Sequence, residues 1–543
     1  MLDLLRLILR GGSFFGKDVN MEKITVSFIR ENKKCVAGAG KSLLEIAGDN
    51  NINLCPGGCF AAKCGKCKVL ITKGNDAFVT KEEKDILTDD ELTKGVRLAC
   101  AFVPKADISV ITLNENDDKE IVKQVNNGKN NARPVVVMDA GTTTLKLYVF
   151  DEDSVKLFAG DKDRKLIPLV ELSMDNPLRV FGSDVMTRIN NGCNKERFLQ
   201  MKNMLHDAIE KMLSCVRDDF AFDKFIIIGN TTMIHIAAGK STDKLGKAPF
   251  YTGYMGGEYI KNYAFGNTDA YVARCIKGHV GADAHACLYA ANQDGLIMDI
   301  GTNSEIMLLV NDKVYVCSAP AGPAFEETNI GCGMKRDKGA VVSIKEDGTS
   351  FGMYVDDGEG GLIYLKPDDY RCKDIKGLCA GAVIDLSAFM LKNGIIDEYG
   401  TFVTDEDYIN VSSYCPNVKF TQKDVRSLQM GKAAVMAATS TLMYKAGIDN
   451  EKKGYLYLAG NFGSGMNAEN AKYIGLIPVT DAQMIVPMGN MAAKGAAVMF
   501  VNRNNQFDEE KFIHVELTDE ENFKKKYIEE MNFTKNNISD KEA

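Results

Sequence analysis

The sequence predicts a multidomain chain of α/β and α+β type: a small α+β unit, a polar connector, and a large α/β body made by duplication. Three observations predict it. Five of the fifteen cysteines fall between Cys55 and Cys100. The stretch "NENDDKEIVKQVNNGKNNAR" at 114–133 is Asn-rich and poor in large apolar groups. Met-Asp-x-Gly-Thr then occurs twice, at 138–142 and at 298–302.

Composition sets the outer bounds. With 543 residues and 45% apolar composition the chain can fill several cores. A formal net charge of -8 without a large basic block excludes a general nucleic-acid binder. Most cysteines are scattered along a long chain, which reads as reduced cytoplasmic thiols rather than a secreted disulfide scaffold. The opening "MLDLLRLILRGG" is interrupted by Asp3 and Arg6. It is shorter than the ~20 apolar residues of a membrane span and lacks a small-residue cleavage site. No membrane span is expected. Residues 1–20 read as an N-terminal extension, with Met21 as an alternative start and a weak amphipathic anchor as the competing reading.

The first unit is expected over 21–113. "KITVSFI" at 23–29 reads as a strand, and "KKCVAGAGKSLLEIAGDNN" as a strand and short helix. The cysteine loop follows, then the strand "CKVLI", a polar helix over 81–94 and the closing strand "DISVITL". Residues 114–133 are expected to be a flexible linker.

Two related halves are expected at 134–292 and 293–503. "PVVVMDAGTTTLKLYVF" and "GLIMDIGTNSEIMLLV" each read strand, tight turn, strand, and "DSVKLFAG" reads as echoed by "NDKVYVCSA". Helices fill the gaps. Phe198, Met201, Leu205, Ala208, Ile209, Met212 and Val216 recur at helical spacing, as a core stripe. "VRSLQMGKAAVMAATSTLMYKAGI" gives a second long helix, and 504–543 reads as a charged, mixed helical tail.

Cys59-x4-Cys64-x2-Cys67 with Cys100 matches the plant-type spacing of a [2Fe-2S] cluster. Each iron takes two thiolates, so a compact loop supplies three ligands and a distant segment the fourth. Gly57, Gly58 and Gly65 allow backbone N–H groups to turn toward the sulfurs. Cys55 competes with Cys59 as first ligand. A structural zinc site is the alternative, but zinc favours paired Cys-x2-Cys knuckles. Residues 23–113 resemble a plant-type ferredoxin of the β-grasp fold.

Asp139, Gly141, Thr142, Thr143 and Thr144 mark the first repeated turn; Asp299, Gly301, Thr302 and Asn303 mark the second. Glycine permits close approach to phosphates, while Thr hydroxyls and N–H groups supply neutral donors. Magnesium takes a carboxylate, usually through water. "YLYLAGNFGSGMN" adds Gly460, Asn461 and Gly463, small enough for an adenosine to lie on the backbone. "GNMAAKGAAVMF" reads as a small-residue helix for close packing. There is no GxxxxGK[ST] loop. These stretches resemble the phosphate-1, phosphate-2 and adenosine motifs of the actin, sugar kinase and Hsp70 superfamily. They imply a duplicated ribonuclease H-like ATPase fold.

A β-grasp ferredoxin, a linker and this ATPase fold, in that order, resemble the reductive activators of corrinoid proteins. The resemblance covers 23–503 and includes "NPLRVFGSDVMTRI", "IIIGNTTMIHIAAG", "GHVGADAHACLYA" and "APAGPAFEETNIGCGM". It implies an ATP-dependent iron–sulfur protein of a methyltransferase system, with a [2Fe-2S] cluster, ATP and Mg2+ as cofactors. The expected partners are a corrinoid protein stranded as Co(II) and an external low-potential electron donor; the oligomeric state stays open, a homodimer included.

The activator returns one electron, giving Co(I). A plant-type cluster sits near roughly −400 mV, and Co(I) requires a lower potential still. An uphill gap of about 180 mV is about a thousandfold, or roughly 4 kcal/mol, within reach of a clamp biased by ATP. The resemblance assigns electron carriage to Cys59, Cys64, Cys67 and Cys100. It assigns magnesium and the attacking water to Asp139 and Asp299, phosphates to Thr142, Thr143, Thr302 and Asn303, and the adenosine border to Gly460 and Gly463.

Glu305 is a candidate to position water, with a strand-facing Glu as the bland reading. His235 reads as a satisfied core histidine rather than a cobalt ligand. His279 and His285 are candidates for a partner surface, and Glu326, Glu327 and Thr328 for a cation or partner contact. Alternatives are a small-molecule kinase of the same superfamily with a redox-sensing cluster, a non-enzymatic regulator, and an ATP-driven electron donor to another enzyme.

Overall fold

The computed structural model describes residues 23–29, 33–38, 40–50, 52, 54–55, 62–63, 65, 67–74 and 78–112, then 121–125, 133–182, 184–248, 250, 253–301, 304–321, 330–448, 454–460, 465–478, 485–502 and 509–533. The chain divides into two units, 1–117 and 118–543. Among the described residues no helix is long and apolar enough to cross a membrane.

In the first unit the strands are β1 (Lys23–Phe28), β2 (Lys33–Gly38), β3 (Lys68–Lys73), β4 (Val96–Leu98) and β5 (Ile108–Thr112), in the order β2-β1-β5-β3-β4. Ile24, Val26 and Phe28 alternate inward on β1. They meet Leu43, Leu44, Ile46 and Ala47 of the helix Leu43–Asp49 in one core. That helix starts where Ser42 and Glu45 exchange bonds as a capping box. A mixed sheet on one helix is the expected β-grasp.

The single helix expected over 81–94 is two: Lys81–Ile86 and Asp89–Thr93. Thr80 pairs with Glu83, and Thr88 repeats the pattern with Glu91, whose carboxylate accepts Thr88 N–H at 3.0 Å. The second box restarts the helix, and Leu87 between them turns extended and buries. Glu83 is itself fully buried, bonded to Arg97 Nε at 2.9 Å and Nη2 at 2.7 Å. Burial works to raise its pKa. The Arg97 bonds and the Thr80 and Leu98 N–H groups outweigh burial and hold it below the usual carboxylate range.

The second unit holds two large sheets. The first contains β6 (Val122–Val125), β7 (Pro134–Ala140), β8 (Thr144–Asp151), β9 (Val170–Asp175), β10 (Lys224–Ile228), β11 (Glu258–Ala264) and β12 (Thr268–Val272), ordered β11-β12-β10-β7-β8-β9-β6. The remaining strands are β13 (Gly295–Asp299), β14 (Ser304–Val310), β15 (Lys313–Ala319), β16 (Ala340–Asp347), β17 (Ser350–Asp356), β18 (Leu362–Leu365), β19 (Gly377–Leu378), β20 (Tyr408–Asn410), β21 (Lys419–Thr421), β22 (Tyr455–Ala459), β23 (Ile485–Gly489) and β24 (Phe512–His514). The second large sheet runs β23-β22-β13-β14-β15-β24; β18-β17-β16-β19 and β20-β21 are additions to this half.

The duplication is explicit in this topology. β7-β8-β9 and β13-β14-β15 are antiparallel meanders. β10 then β12 join β7 in parallel, as β22 then β23 join β13. The helices after the fifth strands, Ala282–Ala290 and Met491–Val501, pack on each other. A Cβ on Gly495 would stand 1.8 Å from the Ala286 carbonyl oxygen, so only glycine fits there.

Three expectations are corrected. "DSVKLFAG" does not echo "NDKVYVCSA": it lies in the helix Glu152–Gly160, capped by Asp151, and β9 is the counterpart of β15. Val155 and Phe158 bury at helical spacing, whereas Val314 and Val316 alternate. Within the expected linker, Val122–Val125 pairs antiparallel with β9 as an edge strand, and Ile121 packs on the first core. The charged tail joins the second half instead of trailing from it. β24 pairs with β15, the helix Glu521–Glu529 packs on Gln422–Ala446, and Val515, Leu517 and Phe533 bury in the second core.

The two long helices stand as expected, at Lys195–Arg217 and Gln422–Ala446, and the stripe of the first is buried except for half-buried Phe198. Residues 1–20 and the linker outside 121–125 and 133 lie outside the described residues.

Candidate functional site

The duplicated topology brings the C-terminal ends of β7 and β13 to one cleft of about 490 Å³. Asp139, next to last in β7, and Asp299, last in β13, both line it, with Gly141, Thr142, Thr143, Thr144, Glu305 and Gly460. Gly301 is described two residues after Asp299. Thr302, Asn303, Asn461 and Gly463 lie outside the described residues, as do Cys59, Cys64, Glu326, Glu327 and Thr328.

The first turn is held from behind. Asn176 Nδ2 donates to Gly141 O at 2.7 Å, Asn176 N donates to Thr143 O at 2.9 Å, and buried Arg188 donates to Thr142 O. A trans peptide carries its C=O and N–H on opposite sides. With three successive carbonyls anchored away, the N–H groups of the turn are presented on its other side, as an anion requires. Gly141 is needed for this tight shape, since a Cβ there would meet Thr144 O at 2.6 Å.

On the second half, Gly460 lies against Asp299. The glycine has φ +76°, and a Cβ on it would stand 2.6 Å from Asp299 Oδ1. Opposite Asp139 on the neighbouring strand stands Lys146; opposite Asp299 stands Glu305. Glu305 Oε1 accepts a 3.4 Å bond from Ser318 Oγ.

Sequence reading missed four residues at the cleft. Asn230 caps the helix Thr231–Ala238 and donates to Thr142 Oγ1 at 2.8 Å. Asn490 donates to Asp139 Oδ2 at 2.9 Å. Asp283 and Lys146 also line the cleft. One signal was available for the two asparagines: Gly-Asn follows a hydrophobic strand three times, at 229–230, 460–461 and 489–490.

The electrostatics favour a cation. Burial raises the pKa of Asp139, against a bond from Asn490 and the charge of Lys146. Burial and then Asp139 push Asp299 up to about 6. Burial, with Asp139 and Asp299, pushes Asp283 up to about 7. Burial, Asp283 and Asp299 hold Glu305 well above the usual range. Carboxylates crowded this way are relieved by a bound divalent ion. Among the described residues no three His, Cys, Asp or Glu side chains form a ready metal cage. The donors present suit Mg2+, which keeps several waters and binds through one or two carboxylates and phosphate oxygens.

His235 is a satisfied core residue, its ring nitrogens 2.7 and 3.0 Å from the Ser241 and Tyr254 carbonyl oxygens. His279 lines the cleft. His285 does not; it is 7% exposed, with Nδ1 2.9 Å from Arg274 O.

In the first unit, Cys67 Sγ and Cys100 Sγ stand 3.2 Å apart, and Ala62 N–H donates to Cys100 Sγ at 3.2 Å. Two adjacent thiols with an N–H aimed at one of them form a donor set that suits an iron–sulfur centre. Cys55 and Cys67 are 1% and 2% exposed, both within the core of this unit.

Comparison with known proteins bears on both sites. The family "2Fe-2S iron-sulfur cluster binding domain" matches residues 28–105, "RACo middle region" matches 135–296, and "C-terminal domain of RACo the ASKHA domain" matches 293–542. The chain is 26% identical over 405 residues to the "Corrinoid activation enzyme RamQ" of Eubacterium limosum, covering 68% of this chain and 64% of that protein. It is 29% identical over 259 residues to the "[Co(II) methylated amine-specific corrinoid protein] reductase" of Methanosarcina barkeri, covering 45% of this chain and 46% of that one. The matches thus span less than two thirds of these relatives' length. A solved "Reductive activator for corrinoid,iron-sulfur protein" shares the fold, with a TM-score of 0.59 and 20% identity over 94% of this chain and 98% of that one. The chain therefore carries, in succession, matches to an iron–sulfur cluster domain, the RACo middle region and the RACo ASKHA domain, and it is similar to proteins named as a corrinoid activation enzyme and a corrinoid protein reductase.

Proposed function

We propose that this chain is an ATP-dependent reductive activator, returning a corrinoid protein from inactive Co(II) to Co(I) with one electron from an external low-potential donor. The observation that carries the nucleotide part is the meeting of Asp139 and Asp299, from equivalent strands, in one cleft with Gly460 packed on Asp299. The redox part is supported by Cys67 and Cys100, paired in a unit that matches an iron–sulfur domain.

The residues divide the work. The turn at Gly141, Thr142, Thr143 and Thr144 cradles the phosphates of ATP, together with Thr302 and Asn303. Gly460, Asn461 and Gly463 border the adenosine. Asp139 and Asp299 hold hydrated Mg2+ and orient the water that attacks the terminal phosphate, releasing ADP and phosphate. Burial, Asp283 and Asp299 hold the Glu305 carboxyl above its usual range, and Glu305 orients water from the strand opposite Asp299. Cys59, Cys64, Cys67 and Cys100 hold the iron–sulfur centre, which supplies one-electron transfer at low potential when bound. The corrinoid cobalt is the substrate: it gains the electron that the donor loses.

The test is ATP hydrolysis by the reconstituted chain under anaerobic conditions, with and without corrinoid proteins held as Co(II). Hydrolysis stimulated by at least one Co(II) corrinoid protein is expected. A rate indifferent to every corrinoid protein tried contradicts the reading.

A further inference from the structure

Asn490 stands where the chain leaves one half and enters the other. It follows β23 of the second sheet and caps the helix Met491–Val501, whose Met491, Ala493 and Ala497 lie in the core around the first sheet. Its amide makes three bonds. Oδ1 accepts from Ala493 N at 2.7 Å, while Nδ2 donates to Asp139 Oδ2 at 2.9 Å and to Tyr148 OH at 2.8 Å. The cap decides the orientation of the amide: with oxygen committed to Ala493 N–H, the NH2 must face Asp139. Tyr148 OH donates onward to Glu171 Oε1 at 3.2 Å, and Lys146 Nζ stands 3.6 Å from the same oxygen.

We infer that Asn490 is a positioning residue for the ATPase step: from the second half it holds Asp139 Oδ2 in the first, leaving Oδ1 to face the hydrated cation and the attacking water. This rests on the nucleotide reading above. Two features separate it from mere helix capping. The capping oxygen and the donating nitrogen are different atoms of one amide, so the second bond is not a by-product of the first. The partner is a carboxylate at the cleft, 351 residues away in sequence.

The experiment compares wild type with Asn490→Ser and Asn490→Asp in Mg-ATP hydrolysis and in equilibrium ATP binding. Serine and aspartate are good N-caps, so both keep the helix start. Serine is too short to reach Asp139, and aspartate replaces the donor with a second acceptor. A loss of kcat of about 10–100-fold is expected for removing a group that orients a reacting carboxylate. KM for ATP should change far less, and so should the affinity for ATP measured by equilibrium titration. Should Asn490→Asp fail to fold, Asn490→Ser carries the test, with its melting temperature as control. An Asn490→Ser enzyme with the wild-type kcat overturns the inference and leaves the ATPase reading standing. A fall in kcat matched by an equal weakening of ATP binding also overturns it, because that marks a structural role alone. Wild-type protein that hydrolyses no ATP removes the nucleotide reading and this inference together.

Discussion

The two halves of the second unit share one topology and differ in chemistry around the cleft. Each carries an Asp at the C-terminal end of its first strand, next to last at 139 and last at 299. Across the hairpin the first half places Lys146 and the second places Glu305. After the third parallel-layer strand the second half supplies Asn490, bonded to Asp139, while the first leads through Gly281 to Asp283, which is pushed up to about 7. Duplication therefore built the frame, and divergence made its two sides unequal. The first half offers a carboxylate hydrogen-bonded by Asn490 beside the turn at Gly141–Thr144. The second, with Asp283, contributes crowded acids that call for a cation.

The largest effect should come from removing the acids themselves. Asp139→Asn and Asp299→Asn should each lower ATP turnover about 100-fold or more, as expected for groups that orient the attacking water. Full activity in either variant would break the idea that both strand ends serve one reaction.

Glycines sharpen the comparison next. Gly460→Ala places a Cβ 2.6 Å from Asp299 Oδ1, whereas Gly229→Ala, at φ +155°, places one 2.6 Å from the Ala140 carbonyl oxygen. The first should chiefly weaken ATP binding, measured by titration. The second should chiefly lower stability, by about 1–3 kcal/mol, measured by denaturant unfolding. Gly495→Ala, at the seam between the paired helices, should also cost about 1–3 kcal/mol. Equal effects on affinity from Gly460 and Gly229 would erase the asymmetry.

A smaller effect concerns pH. Asp299 and Asp283 have native pKa values of about 6 and about 7, above their unfolded values. The native state therefore binds more protons than the unfolded state between roughly pH 4 and 7, so these groups cost stability as pH rises through that window. Mg2+ bound by these acids, as proposed, would relieve that cost. The rise in melting temperature on adding Mg-ATP should be larger at pH 8 than at pH 5.5, and an equal rise at both would count against cation binding by these acids.

Much of this was legible in the sequence where chemistry imposes spacing. The cysteine pattern marks a unit that matches an iron–sulfur domain, and the twin Met-Asp-x-Gly-Thr turns mark the two aspartates that meet in the cleft, because ligands and phosphates demand particular residues at particular intervals. What escaped was set by context. Asn490 looked like the start of a small-residue helix, since a cap and a carboxylate donor are the same residue type. Asp283 sits in "GADAH", with no pattern to mark it, and meets the cleft only through packing. "DSVKLFAG" reads as a strand until Asp151 is recognised as a cap and Val155 and Phe158 as a helical pair. The break in 81–94 was written in the repeated Thr-x-x-Glu at 80–83 and 88–91, and it was passed over as one polar run.

The most direct measurement follows the cobalt. The reconstituted chain, a low-potential reductant and a corrinoid protein held as Co(II) are mixed anaerobically, and the Co(II) absorbance is recorded before and after Mg-ATP. The account predicts that the Co(II) band is lost and the Co(I) band grows only when ATP is hydrolysed, and that Asp299→Asn abolishes the change. Reduction at the same rate and extent without nucleotide, or in the Asp299→Asn variant, would contradict it.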